Sequence, residues 1–197
     1  MQPTPKARFE QFSDGVFAIA ITILALELHV PKLTSMSVSG SLHELIPLIP
    51  TIVTFIISFV TIAIFWVNHH QLTREIVHIA MRRILWGNML FLLFVTLIPF
   101  ATEIVSTNPL HPLAMATYAL VLFGGSVSFS IARYMVHKGL GEHHIPMKRS
   151  IVGPITYIIA AAVAFTSVWA SFVLLIIPPI YYFLPKPSSP ESSEETL

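Results

Sequence analysis

Residues 12–30 read FSDGVFAIAITILALELHV, and this stretch decides the fold. From Val16 to Leu26, every residue except Thr22 is apolar. A membrane-spanning helix needs about 20 mainly apolar residues at about 1.5 Å each. Pro31 ends the stretch, because proline cannot continue a helix. The sequence therefore predicts a first transmembrane helix over residues 12–30.

The whole chain of 197 residues has the same apolar character, with 54% hydrophobic and only 11% charged residues. A soluble protein carries about 25% charged residues, so lipid must cover much of this surface. The formal net charge of +1 gives no footprint for a nucleic-acid partner. The sequence contains no cysteine, which excludes disulfides and thiolate metal ligands within it.

Further apolar segments follow the first helix. The last of them, from Ser150 to Leu184, is too long for one span, and we split it near Thr166–Ser167. The predicted spans after the first are residues 45–66, 84–104, 112–133, 150–166 and 168–184. The sequence thus predicts an all-α membrane protein, with a domain of six transmembrane helices over residues 1–185. Residues 186–197 are rich in Pro, Ser and Glu and are predicted to form a disordered acidic tail.

The positive charges predict the orientation of these spans, since cytoplasmic loops are enriched in Lys and Arg. With six spans, one side of the membrane holds only Lys32. The other side holds Lys6, Arg8, Arg74, Arg82, Arg83, Arg133, Lys138, Lys148, Arg149 and Lys186. Both termini are therefore expected in the cytoplasm.

The first helix carries an apolar stripe along one face. At about 100° per residue, the stripe is formed by Phe12, Val16, Ile19, Ile23, Leu26 and Val30. Gly15 and Thr22 flank it, and a helix that only anchors the chain in lipid has no reason to carry them there. The stripe is either a packed seam or the wall of a pore, and periodicity alone favours packing.

Asp14 is an ionisable residue near the start of this span, where a partner is expected because charge is costly in a membrane. It either lies near the headgroups, pairs with Arg8, or contacts the polar cluster at the end of the second span. That cluster comprises Trp66, Asn68, His69 and His70. The two neighbouring histidines are poor partners for one metal ion, since successive helical residues point about 100° apart.

The segment from Arg8 to Thr22 resembles the first-helix signature of the transmembrane protein 175 family, which comprises lysosomal potassium channels in animals and shorter potassium channels in prokaryotes. Within it, Phe12-Ser13-Asp14 followed by Ala18 matches the pattern FSDxxxA. The resemblance continues through Trp66, His69 and His70 after the second span. In the third span it includes Asn88, Pro99 and Phe100.

The resemblance implies a homotetramer in the cell membrane, with four copies of the first helix around a potassium-permeable pore and no cofactor besides the permeant ion. It implies that the pore wall is Ile19, Thr22, Ile23 and Leu26, with Ile19 as the narrowest ring. It also implies that polar residues hold the first helix against its neighbours. Those residues are Arg8, Ser13, Asp14, Trp66, Asn68, His69, His70 and Asn88.

The chain lacks the Thr-Val-Gly-Tyr-Gly carbonyl filter of most potassium channels, so we expect a hydrophobic gate and modest selectivity for potassium over sodium. A ring of Thr22 hydroxyls is expected to replace part of the hydration shell of potassium. Two other functions stay open. One is a proton-coupled or proton-conducting transporter. Transporters often carry a pair of broken helices at matching positions, but neither Gly124–Gly125 nor Pro178–Pro179 has such a matching partner. A membrane enzyme is the other, for which Asp14 with the histidine pair is the only candidate cluster.

Overall fold

The computed structural model describes residues 5–29, 32–75, 81–141 and 148–183. Within these residues the chain forms helices and connecting turns, which confirms the predicted all-α class. The helices are α1 (Pro5–Leu26), α2 (Val38–Leu45), α3 (Leu48–Glu75), α4 (Met81–Thr107), α5 (Pro112–Gly139), α6 (Lys148–Val163) and α7 (Val168–Phe183).

Four of these helices, α1, α3, α4 and α5, are long and apolar enough to cross a membrane. Helices α6 and α7 are also apolar but have only 16 residues each. At about 1.5 Å per residue, each rises about 24 Å, which is less than the hydrocarbon core of about 30 Å. The count of six crossings therefore remains a prediction for α6 and α7.

Helix boundaries differ from the sequence expectations at several points. Helix α1 ends at Leu26, four residues before the predicted end at Val30, which lies outside the described residues. Its last turn tightens, because the amide of Leu28 reaches back three residues to the carbonyl of Ala25 at 3.4 Å. Helix α3 continues nine residues beyond Trp66, to Glu75.

Helix α2 is absent from the sequence prediction. Its first turn is capped by Ser37, whose hydroxyl accepts a hydrogen bond from the amide of Gly40 at 3.2 Å. Pro47 lies in the turn between α2 and α3. The predicted split at Thr166–Ser167 falls in the turn between α6 and α7, whereas Leu184 and the tail over 186–197 lie outside the described residues.

Helices α4 and α5 form the centre of the bundle, around buried side chains that include Phe91, Ile98 and Leu122. Their close contact depends on Gly124. An added Cβ at this position would overlap the ring of Phe94. The glycine pair in α5 thus serves close packing, and α5 runs through it without a break.

Candidate pore helix and its polar anchor

One face of α1 packs against α3 and α4. The side chains on this face recur every three or four residues and are at most 7% exposed. They are Phe9, Ser13, Phe17, Ala20 and Leu24. Phe17 packs against Phe91 of α4, with ring centroids 5.9 Å apart. This seam fixes α1 on the bundle by its buried face.

The opposite face of α1 has no neighbour among the described helices. Its large apolar side chains include Ile19, which is 60% exposed, and Leu26, which is 76% exposed. Phe12 and Ile23 share this exposed face, whereas Val16 is partly buried against the core. The predicted stripe therefore lies mainly outside the subunit's own core. Ile19, Thr22, Ile23 and Leu26 lie within an arc of about 100° on this face.

The hydroxyl of Thr22 also lies on the exposed face. It donates its proton to the carbonyl oxygen of Ile19 at 2.9 Å. Because the proton is used inside the helix, the oxygen lone pairs stay available to accept from water or to contact a cation. Thr22 is thus a polar acceptor among the apolar residues of this face.

A buried polar chain links α1, α3 and α4. The side-chain amide of Asn88 donates to the hydroxyl oxygen of Ser13 at 3.0 Å. The carbonyl oxygen of the same amide accepts from Nε2 of His69 at 2.7 Å. Ser13 in turn donates to the carbonyl of Phe9 at 3.0 Å. All three side chains are less than 5% exposed, so one residue from each helix is fixed away from solvent.

The ring of His69 lies among aromatic side chains. Its centroid is 5.5 Å from that of Phe17 and 5.9 Å from that of Phe91, to which it is nearly parallel. His70 instead stacks on Trp66 at 5.7 Å. The two neighbouring histidines therefore take part in different contacts, as their helical spacing predicts.

Asp14 forms a second link between α1 and α3, since its Oδ1 accepts from Nε1 of Trp66 at 2.9 Å. The structure thus brings Asp14 to one member of the predicted cluster. Arg8 is exposed and makes no ion pair with Asp14 among the described residues. Asn68 points elsewhere: it donates to the carbonyl of Ile64 at 2.9 Å and lines a cavity that includes Arg133. We call the residues that link α1 to α3 and α4 the polar anchor: Ser13, Asp14, Trp66, His69 and Asn88. Arg8 and Asn68 are not part of it.

Sequence reasoning missed a second polar junction deeper in the bundle. The hydroxyl of Ser58 is 2.7 Å from that of Thr102 and 2.8 Å from that of Tyr118. These side chains join α3, α4 and α5 and are at most 2% exposed. Small hydroxyl residues commonly join membrane helices. The sequence contains many of them, so their identity alone does not show which ones pair.

Comparison with known proteins gives consistent results. Residues 8–99 match the family model described as endosomal/lysosomal potassium channel TMEM175. A protein of Chamaesiphon minutus named as a potassium channel is 33% identical over 189 residues, covering 90% of this chain and 93% of that protein. Another protein so named, from a Chryseobacterium species, is 36% identical over 138 residues, which are 70% of this chain and 68% of that protein.

The fold agrees with a solved structure. The crystal structure of a lysosomal potassium-selective channel TMEM175 homolog from Chamaesiphon minutus aligns with a TM-score of 0.77 and 31% identity, over 91% of this chain and 97% of that chain. The helical bundle and these matches define a class of membrane ion channels and not a family of enzymes. Within that class, the chain belongs to the TMEM175 family.

Proposed function

We propose that the chain is one subunit of a homotetrameric, potassium-permeable channel of the cell membrane, with both termini in the cytoplasm. Four copies of α1 surround the pore in this proposal. The observation that carries it is the division of α1 into a face fixed to α3 and α4 and a face with Ile19, Thr22, Ile23 and Leu26 exposed. Relatives at 33% and 36% identity are named potassium channels, which supports the same function.

Ile19 is the proposed gate. Four isoleucine side chains around a narrow axis cannot coordinate an ion, but they can exclude water and so block conduction. One helical turn further along, the Thr22 oxygens would offer lone pairs to a dehydrating cation. Potassium loses its water more easily than sodium, so modest selectivity for potassium follows.

The polar anchor supports this proposal by holding the gate in place. Asn88, His69 and Asp14 with Trp66 fix the half of α1 that precedes Ile19 to α3 and α4. A hydrophobic constriction needs a fixed radius, because dewetting depends steeply on width. The anchor residues thus have a positioning role and need not contact the permeant ion.

The test is ion flux in liposomes that contain the purified protein. We expect potassium flux above sodium flux for the native chain. Ile19→Ala and Ile19→Asn should raise flux or reduce selectivity, because a wider or more polar ring wets more readily. Ile155 on α6 is 51% exposed and offers matched controls. Ile155→Ala and Ile155→Asn should leave selectivity unchanged, and equal effects at both positions would contradict the assignment of the gate.

Proton conduction is the second candidate, favoured by the vertebrate relatives. The human protein named as an endosomal/lysosomal proton channel is 34% identical over 117 residues, although the match covers only 23% of its length. A pH-sensitive dye inside the same liposomes separates the two functions. Acidification without potassium flux would replace the potassium channel by a proton pathway.

A further inference from the structure

A group of metal-binding side chains lies where α1 ends, beyond the proposed pore wall. Glu27 and His29 follow the last residue of α1, and Glu103 lies near the end of α4. One ligand atom from each of the three residues lies within 4.8 Å of the others. His29 Nδ1 is 4.0 Å from Oε2 of Glu103 and 3.0 Å from the carbonyl oxygen of Glu27.

These residues line a cavity of about 370 Å³ whose other walls come from α3 and the end of α4. Two oxygen atoms in its lining, Glu103 Oε2 and Ser106 Oγ, are buried and have no hydrogen-bond partner in the part of the chain that the structure describes. Thr51 lines the same cavity, is 7% exposed, and makes no side-chain hydrogen bond among the described residues. Buried oxygen atoms without partners are uncommon, and these ones border the cavity that holds the cluster.

The charge of the cavity points to a cation. Two carboxylates face each other here, and the lining contains no lysine or arginine among the described residues. Like charges at this distance repel unless a cation or a shared proton lies between them. The two carboxylates thus favour an occupant with positive charge, and the Ser106 and Thr51 hydroxyls beside them, which have no hydrogen-bond partner among the described residues, leave oxygen atoms free to face it.

The donor set selects the kind of cation. An imidazole nitrogen with two carboxylate oxygens suits zinc, whereas calcium and magnesium prefer oxygen ligands alone. Tetrahedral zinc with bonds of about 2.0–2.2 Å places its ligand atoms about 3.3 Å apart. The three atoms lie within 4.8 Å of one another, so zinc binding requires side-chain rotations that bring them closer by up to about 1.5 Å. Coordination through Nδ1 would replace the contact of His29 with the Glu27 carbonyl.

We propose that Glu27, His29 and Glu103 form a zinc site that ties the end of α1 to α4, with water in the fourth position. The site is separate from the polar anchor, which lies on the other side of Ile19 along α1. Its existence does not depend on whether the chain conducts potassium. A zinc ion at this position would restrain the chain directly after Leu26.

The test measures zinc binding to the full chain in detergent by equilibrium dialysis and calorimetry. The native chain should bind one zinc ion per subunit. Each of the variants His29→Gln, Glu27→Gln and Glu103→Gln should lose this ion or bind it at least about tenfold more weakly. His43 in α2 is exposed and offers the matched control, since His43→Gln should keep that zinc ion. Magnesium at the same concentration should not displace it.

Two further measurements distinguish the loss of this zinc site from a loss of fold and from zinc binding at other histidines. The His29 side chain is 75% exposed, so without zinc His29→Gln should have the same unfolding temperature as the native chain. A loss of zinc binding in this variant is then not caused by a loss of fold. In zinc-soaked crystals, the anomalous signal should lie between the three residues. Equal zinc binding by the native chain and His29→Gln, or an anomalous peak only at other histidines, would overturn the proposal in favour of a carboxyl pair that shares a proton.

Discussion

Replacing Asn88 by alanine removes the central link between α1, α3 and α4. Two hydrogen bonds are lost: the one that Asn88 donates to Ser13 at 3.0 Å and the one that it accepts from His69 at 2.7 Å. The two losses differ in cost. Ser13 keeps its own bond to the Phe9 carbonyl, whereas the Nε2 proton of His69 is left without a partner in a residue only 4% exposed.

The magnitude follows from these contacts. A lost hydrogen bond costs about 0.5–1.5 kcal/mol net, and a buried donor without a partner costs about 1–3 kcal/mol. The free energy of unfolding should therefore fall by about 2–4 kcal/mol in Asn88→Ala. Ser13→Ala should cost about 1–3 kcal/mol, because it removes one hydrogen bond and leaves the buried Asn88 amide without that acceptor. The double variant should cost less than the sum, since both changes remove the same bond.

The assay is reversible unfolding in mixed detergent micelles, followed by circular dichroism. Thr96→Ala is the matched control on the same helix, because Thr96 is exposed and, among the described residues, its hydroxyl bonds only to the carbonyl of Leu93 one turn earlier in α4. It should change stability by less than about 0.5 kcal/mol. Additive effects of Ser13→Ala and Asn88→Ala, or an Asn88→Ala cost equal to that of Thr96→Ala, would refute the anchor.

Three further predictions concern packing, pH and assembly. Gly124→Ala should lower the free energy of unfolding by about 1–3 kcal/mol in the same assay, because its Cβ would overlap Phe94. Gly15→Ala has open space around its Cβ and should not lower it. Equal costs for the two variants would contradict the packing role of Gly124. Hydrogen bonds from Thr34 hold the pKa of Glu44 below its usual value of 4.5, so the contact between them is complete above that value and is lost as the pH falls through the lowered pKa. At higher pH, the Thr34 amide should exchange more slowly in the native chain than in Glu44→Gln, and this difference should disappear as the pH falls through that acid range. The same ratio of the two exchange rates at every pH would contradict this. Native mass spectrometry from detergent should give four copies per particle, and a monomer that still conducts would exclude a pore built from several α1 helices.

The sequence predicts the helical class and the family well, because both depend on local signals. Apolar length and the pattern at Phe12, Ser13, Asp14 and Ala18 can be read without any contact between distant residues. The observed link between Asp14 and Trp66 agrees with one of the pairings that the sequence left open. Its partner lies 52 residues away in the chain, so only the fold can select it.

Other features depend on such distant contacts and were not predicted. Ser58 meets Thr102 and Tyr118 across 44 and 60 residues, and nothing in their local sequence distinguishes them from other hydroxyl residues. The sequence places Asn68 in one polar cluster with His69, but adjacent helical residues point in different directions, and Asn68 bonds to the carbonyl of Ile64 instead. Helix α2 has only eight residues, too few for an apolar period to identify it.

The most direct measurement of the pore proposal uses the absence of cysteine from the sequence. A single cysteine introduced as Thr22→Cys or Leu26→Cys can be modified by a water-soluble, positively charged thiol reagent without background. If α1 lines the pore, the reagent should reduce potassium flux through both variants in liposomes, while Ile155→Cys on α6 conducts as before. Undiminished flux through Thr22→Cys and Leu26→Cys after complete modification, verified by mass spectrometry, would contradict a pore lined by the first helix.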